Sequence, residues 1–210
     1  MIHSQTKVSF LSMIFLAGLF LNACTSLVNE TAMKAFEDRS TEDQVTDAKI
    51  VTGILQRLSD KDKGLLLDVG VDVWEKRVML TGALENASLK SEVETLARED
   101  SRIKTVYNDI QLASAQDIER RRNAKEQGGD SKGGMGETVS DFWIETKIKA
   151  QLITIENVSS VNFRWRSVLN HIYVIGRAAT PMEKELVLDV IKKTEGVSSV
   201  TEYIEIITPK

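Results

Sequence analysis

Few residues in this chain could do chemistry. Cys24 is the only cysteine, and His3 and His171 are the only histidines. A lone cysteine excludes an intrachain disulfide. His171 opens an apolar run with no cysteine near it, which reads as a surface histidine, not a metal ligand or a base. No P-loop, G-x-S-x-G or dinucleotide fingerprint occurs. Gly128, Gly129, Gly133, Gly134 and Gly136 follow no strand and open no apolar helix, so they build no phosphate cradle. Glu92/Glu94 and Glu183/Glu185 read as helical surface acids, not as a positioned acid–base pair. The expectation is a protein with no enzymatic site, no cofactor and no metal. One grouping stands out: Phe142 and Trp143, followed by Lys147 and Lys149. Aromatic rings at a helix start beside two lysines suit a lipid interface, with the ring at headgroup level and the lysines on phosphate. The other reading packs Trp143 against the neighbouring unit or the linker. Trp165 reads as core, and Trp74 has no assignable role.

Cys24 ends a second informative stretch. Val8 to Leu21 is apolar but for Ser9, Ser12 and Gly18, and follows Lys7. A membrane span needs about 20 apolar residues, whereas a signal peptide needs only ~7–15 after a positive start. Leu21-Asn22-Ala23-Cys24 resembles the lipobox of bacterial lipoproteins. The resemblance implies removal of residues 1–23 and acylation of Cys24, palmitate included. Acylation consumes a thiol that would be a liability in an oxidising compartment. Thr25 follows the cysteine, and by resemblance to enterobacterial lipoproteins the absence of Asp there implies the periplasmic face of the outer membrane. Residues 24–46 read as a polar tether. Removing residues 1–23 takes away Lys7 and no acid, leaving 26 Lys+Arg against 31 Asp+Glu, a net charge of −5. An acidic chain is a poor partner for nucleic acid, and any attraction to anionic lipid must be local.

These residues have to be positioned by something, and an internal repeat supplies the elements. At an ungapped offset of 94, Asp47, Ile50, Ile54 and Leu58 recur as Asp141, Ile144, Ile148 and Leu152. Val78, Leu80 and Gly82 recur as Ile172, Val174 and Gly176, and Ile110 and Leu112 as Ile204 and Ile206. Two copies are too few for a solenoid, so they read as duplicated domains, 47–113 and 141–207, joined by a Gly-rich linker over 114–140. Each copy reads helix, strand, strand, helix, strand. The opening helix carries its apolar residues at i, i+4 and i+8, with Asp47 or Asp141 as expected N-cap. The first strand alternates over Leu67, Val69, Val71 and Val73, or over Val161, Phe163 and Trp165. Gly82 and Gly176 are expected to need an unusual backbone angle. Asn86 caps one second helix, and Thr180-Pro181-Met182-Glu183 opens the other as N-cap, N1 proline and capping-box Glu. A helix between the second and third strands makes them parallel. The predicted fold is α+β: two tandem αββαβ units, each a three-stranded mixed sheet with two helices on one face. The flexible linker predicts weak coupling, and Arg120-Arg121-Arg122 reads as a solvated helix end or as a lipid or protein contact.

The sequence of helix, hairpin, glycine, helix, Gly196-Val197-x-x-Val200 turn and last strand resembles the BON domain, and Arg102 stands where the second unit has Gly196. The residues 141–152 resemble the opening helix of the second domain in dual-BON outer-membrane lipoproteins. That resemblance implies support of envelope integrity, with anionic phospholipid bound through Phe142, Trp143, Lys147 and Lys149, and envelope or division proteins as further partners. Two other functions compete: a periplasmic protein-interaction or chaperone adaptor, and a structural subunit of an envelope complex.

Overall fold

The computed structural model describes residues 37–126 and 141–207; Cys24, the lipobox and the glycines at 128–136 lie outside them. Every element below belongs to the compact unit Arg39–Lys210. The first domain runs α1 (Thr41–Lys61), a single turn α2 (Leu65–Asp68), β1 (Val69–Trp74), β2 (Arg77–Leu84), α3 (Ala87–Arg98), β3 (Thr105–Asn108) and β4 (Gln111–Leu112). Then α4 (Ala115–Glu126) follows. The second domain runs α5 (Asp141–Thr154), a 3-10 turn (Ser160–Asn162), β5 (Phe163–Val168), β6 (His171–Ala178), α6 (Pro181–Lys193) and β7 (Ser199–Ile206). In each sheet the first two strands are antiparallel, and the second pairs with the last in parallel. The architecture is the predicted pair of αββαβ units. In the first domain the last strand breaks at Asp109–Ile110, and β4 resumes the parallel pairing with β2.

Each helical stripe does what its spacing predicts. Ile50, Ile54 and Leu58 of α1, with Val93 and Ala97 of α3, close over Val69, Val73, Val78 and Leu80. Ile144, Ile148, Leu152, Val187 and Ile191 close over Phe163, Ile172, Val174 and Ile204. Asn86 accepts from Leu89 N, and Thr180 from Glu183 N, as N-caps do. The strand starts differ from the expectation. Leu67 sits in α2, half exposed, and Val161 sits in the 3-10 turn, so neither belongs to a sheet face.

Asp47 is not an N-cap. Helix α1 begins six residues earlier, at Thr41, with Ser40 as its cap. The Asp47 carboxylate is buried and accepts from Glu75 N and Lys76 N (2.7 and 2.9 Å), with Arg39 paired to it. Asp141 does the same, accepting from Leu169 N and Asn170 N at 3.0 Å each. Glu75, Lys76, Leu169 and Asn170 all have positive φ, 50 or 67°. These tight hairpins lack the glycine that normally relieves such angles. A carboxylate from the first helix holds each one, buried at Asp47 and half-buried at Asp141, and both copies of the repeat carry it.

The two glycines answer different needs. Gly82 has φ +129°, and a Cβ there would lie 1.9 Å from Asp68 O. Gly176 does not share that angle; a Cβ there would meet Asn162 O at 2.3 Å, so close approach of the backbones excludes a side chain. At the last turn, Gly196 has φ +94°. Its counterpart Arg102 instead ties its own N–H and guanidinium to Asp100.

The domains are not weakly coupled. Their sheets pack against each other on the faces away from the helices, giving layers α/β/β/α. Trp74, Met79 and Ala83 meet Val168, Tyr173 and Ile175 in a third buried cluster. Tyr107 stacks on Tyr203, with ring centroids 3.7 Å apart. Polar groups lock the same surface. Arg77 donates to Tyr203 O and Gly176 O, and Arg177 pairs with Glu75 at 2.6 Å. Asp72 is held by Arg166 through two bonds, and Tyr203 Oη donates to Asp109 at 2.8 Å. Both of these pairs are 94 residues apart, the repeat offset itself. A position meeting its own copy is the signature of an isologous, two-fold contact. The interior of this protein is therefore arranged like a dimer interface, with the two copies in one chain.

Candidate membrane-facing helix

Helix α5 carries the four residues singled out by sequence. Its inner stripe of Ile144, Ile148 and Leu152 is buried, which fixes where the others point. Phe142, Thr146, Lys149 and Ile153 lie at i, i+4, i+7 and i+11, and all are exposed. Phe142 is 41 % and Ile153 58 % exposed, large apolar side chains on the outer face with Lys149 between them. Among the described residues Lys149 has no ion-pair partner. Ile153 was missed by sequence reasoning; its i+11 relation to Phe142 was the available signal.

Trp143 and Lys147 occupy the flank beside that face. Lys147 Nζ lies 2.6 Å from Glu195, at the turn before β7, and the ammonium holds the Glu195 carboxyl below the usual range. Such an exposed pair is worth little, so a phosphate could displace the carboxylate. Gln151, next along the flank, donates to Thr194 Oγ1 at 3.0 Å. Trp143 is half-buried, not a freely exposed ring, and meets Phe142 edge-on at 6.3 Å between centroids. Its indole N–H is buried and meets no acceptor among the described residues. An unmet donor costs free energy where it stands, so no described polar group ties the ring to its present position. The four residues thus divide, two on the outer face and two on the flank.

The rest of the helix is structural. Asp141 clamps the hairpin and also accepts from Ser167 Oγ at 2.7 Å. Glu145 accepts from Ser167 N at 2.8 Å, and burial pushes its carboxyl up. Trp165 packs on the second core and donates its N–H to Glu145 O at 3.3 Å. His171 is half-buried at the start of β6 with its ring nitrogens against Ser199 and Thr201, and burial lowers its pKa. Arg121 pairs with Asp141 and Arg122 with Asp68, at 3.1 and 2.6 Å. Two of the three arginines therefore join α4 to the domains and do not end in solvent. Among the described residues no group of three His, Cys, Asp or Glu could hold a metal. No described helix is long and apolar enough to cross a membrane.

Two stretches of the chain, residues 46–114 and 140–208, match the family model of the BON domain. The chain belongs to the BON family. Several relatives align over most of its length at low identity. A protein encoded in the gshII 5′ region of Anaplasma centrale is 25 % identical over 77 % of this chain and 95 % of its own. The 21 kDa hemolysin of Actinobacillus pleuropneumoniae is 23 % identical over 80 % of this chain and 78 % of its own. The outer membrane lipoprotein DolP of Haemophilus influenzae is 20 % identical over 93 % and 94 %. Among solved structures, CdsD of the Chlamydia trachomatis type III secretion system is similar at a TM-score of 0.34 and 9 % identity. It covers 77 % of this chain and 94 % of that chain.

Proposed function

We propose that this chain is a lipid-anchored envelope protein that binds anionic phospholipid through α5 of its second BON domain and supports outer-membrane integrity. The observation that carries this reading is the outer face of α5, where Phe142 and Ile153 stand exposed around Lys149. On the flank beside it, Lys147 is held only by an exposed carboxylate, and Trp143 by no polar bond among the described residues. Aromatic rings with lysines at the headgroup level are favoured at a lipid interface. Each lysine near an anionic surface adds about 1 kcal/mol. The anchor at Cys24 and the outer-membrane location draw on the lipobox and on the resemblance to a relative named as an outer membrane lipoprotein. Division-site or other envelope proteins would be secondary partners.

A chain starting at Thr25 keeps every described element, because these lie within Arg39–Lys210 or just before it. Its co-sedimentation with vesicles should require anionic lipid and weaken as salt rises from 0.05 to 0.5 M, as screened surface charges do. Binding that is indifferent to both salt and lipid charge would favour the adaptor reading, in which the same apolar face takes protein clients. For the anchor, Cys24→Ser is expected to abolish metabolic palmitate labelling and leave the chain with residues 1–23 uncleaved or aberrantly cut. Undiminished labelling of that variant would remove Cys24 from the account.

A further inference from the structure

A cavity of about 260 Å³ opens at one seam of the domain interface. That is close to the lower end of the ~300–1,000 Å³ typical of small-molecule sites. Gly70 of β1, Phe142 of α5 and Val168 of β5 line it, and Lys125 of α4 is exposed at its mouth. The two-fold relation between the domains supplies a comparison within the molecule. At the repeat offset, Gly70 corresponds to Arg164 and Val168 to Trp74. The opposite seam is filled by those larger residues: the Trp74 ring has Arg164 at 5.4 Å and Arg39 at 4.3 Å from its centroid. One seam is therefore packed, and the other is opened by two losses of volume, one from each domain.

The charges around the opening are uneven. Asp68 is taken by Arg122 and Asp141 by Arg121, and Glu145 accepts a backbone amide. Lys125 Nζ gives one bond, to Leu67 O at 2.7 Å, and has no carboxylate at ion-pair distance among the described residues. Two of its three donors lack an acceptor there. We propose that this seam binds a single-chain anionic amphiphile, a free medium-chain carboxylate, with its chain against Phe142, Val168 and Gly70 and its head on Lys125. This site is separate from the α5 membrane face, although Phe142 borders both.

The test is titration of decanoate, below its micelle concentration, into the chain starting at Thr25, followed by backbone amide shifts. Saturable shifts are expected at Gly70, Gly82, Val168 and Leu169. Lys125→Gln should weaken decanoate about tenfold, the worth of one charge-assisted bond, and decyltrimethylammonium should bind wild type about tenfold more weakly than decanoate. Val168→Trp, which copies the packed seam, should abolish binding; its folding is checked by amide dispersion, and Lys125→Gln stands as the test if it does not fold. Absence of saturable shifts overturns the proposal, as does equal binding of the two head groups or undiminished binding to Lys125→Gln. Anionic-vesicle binding of Lys125→Gln should match wild type. If vesicle and decanoate binding fall together, the lysine belongs to the membrane face and the seam site is withdrawn. If wild type binds decanoate but no vesicle, the membrane reading fails alone.

Discussion

Trp74→Ala is expected to destabilise the protein by about 3–5 kcal/mol, the usual cost of deleting a buried tryptophan. The ring is fully buried in the domain interface, where it fills the packed seam with Met79, Ala83, Val168, Tyr173 and Ile175 in the same cluster. Its N–H is buried without an acceptor among the described residues, and losing that unmet donor offsets part of the penalty, which places the result towards the lower end. In a protein of this size each kcal/mol moves Tm by roughly 2–4 °C, so a fall of about 10 °C is expected by circular dichroism. Because the interface is one buried cluster fed by both sheets, melting should remain a single transition. Trp74→Phe keeps most of the packed surface and should recover most of the loss. A change below about 1 kcal/mol for Trp74→Ala would mean that the sheets do not depend on each other.

Gly82→Ala should be still more damaging for a single added methyl. A Cβ there lies 1.9 Å from Asp68 O and 3.1 Å from Val69 Cα, all backbone, and φ is +129°. Neither neighbour can give way without moving the start of β1. The expected cost exceeds about 4 kcal/mol, the exceptional range for point substitutions. Gly53→Ala is the contrast. Its Cβ, inside α1, would meet only side-chain ends, Arg57 Nη1 at 3.4 Å and Asp100 Oδ2 at 3.7 Å. Alanine is the better helix former by about 1 kcal/mol, so this variant should gain stability. Urea denaturation of the two variants beside wild type measures both. A Gly82→Ala protein within 1 kcal/mol of wild type would show that β1 is not pinned as described.

The parts of this fold that repeat were readable from sequence, and the parts that join the copies were not. The helical stripes, the caps at Asn86 and Thr180 and the parallel last strands follow from periodicity and local chemistry, which each copy carries whole. The interface draws on positions that differ between copies. Asp72 meets Arg166 and Asp109 meets Tyr203, so alignment of the repeats shows only a mismatch where the structure shows a bond. A signal was present nonetheless. Val78-Met79-Leu80 and Ile172-Tyr173-Val174-Ile175 are apolar on both sides of their strands, as strands covered on two faces are. Asp47 looked like a cap because it precedes an apolar stripe; its real partners are hairpin amides 28 and 29 residues away, beyond any local rule. On α5 the residue types pointed to the right helix, but only the packing of Ile144, Ile148 and Leu152 divides Phe142 and Lys149 from Trp143 and Lys147. The ion pair of Lys147 with Glu195 is long-range and left no trace in the spacing.

Depth-dependent quenching tests the membrane reading of α5 most directly. The chain has three tryptophans: Trp74 is fully buried, and Trp165 packs on the second core. Vesicles of anionic lipid brominated along the acyl chains should therefore quench Trp143 alone. Wild type is predicted to lose a clear fraction of its fluorescence, more with bromine near the headgroup than near the chain end. Trp143→Phe should lose almost none while sedimenting with the same vesicles nearly as well. Quenching that is absent in wild type, or unchanged in Trp143→Phe, would contradict the assignment of α5 as the lipid-binding element.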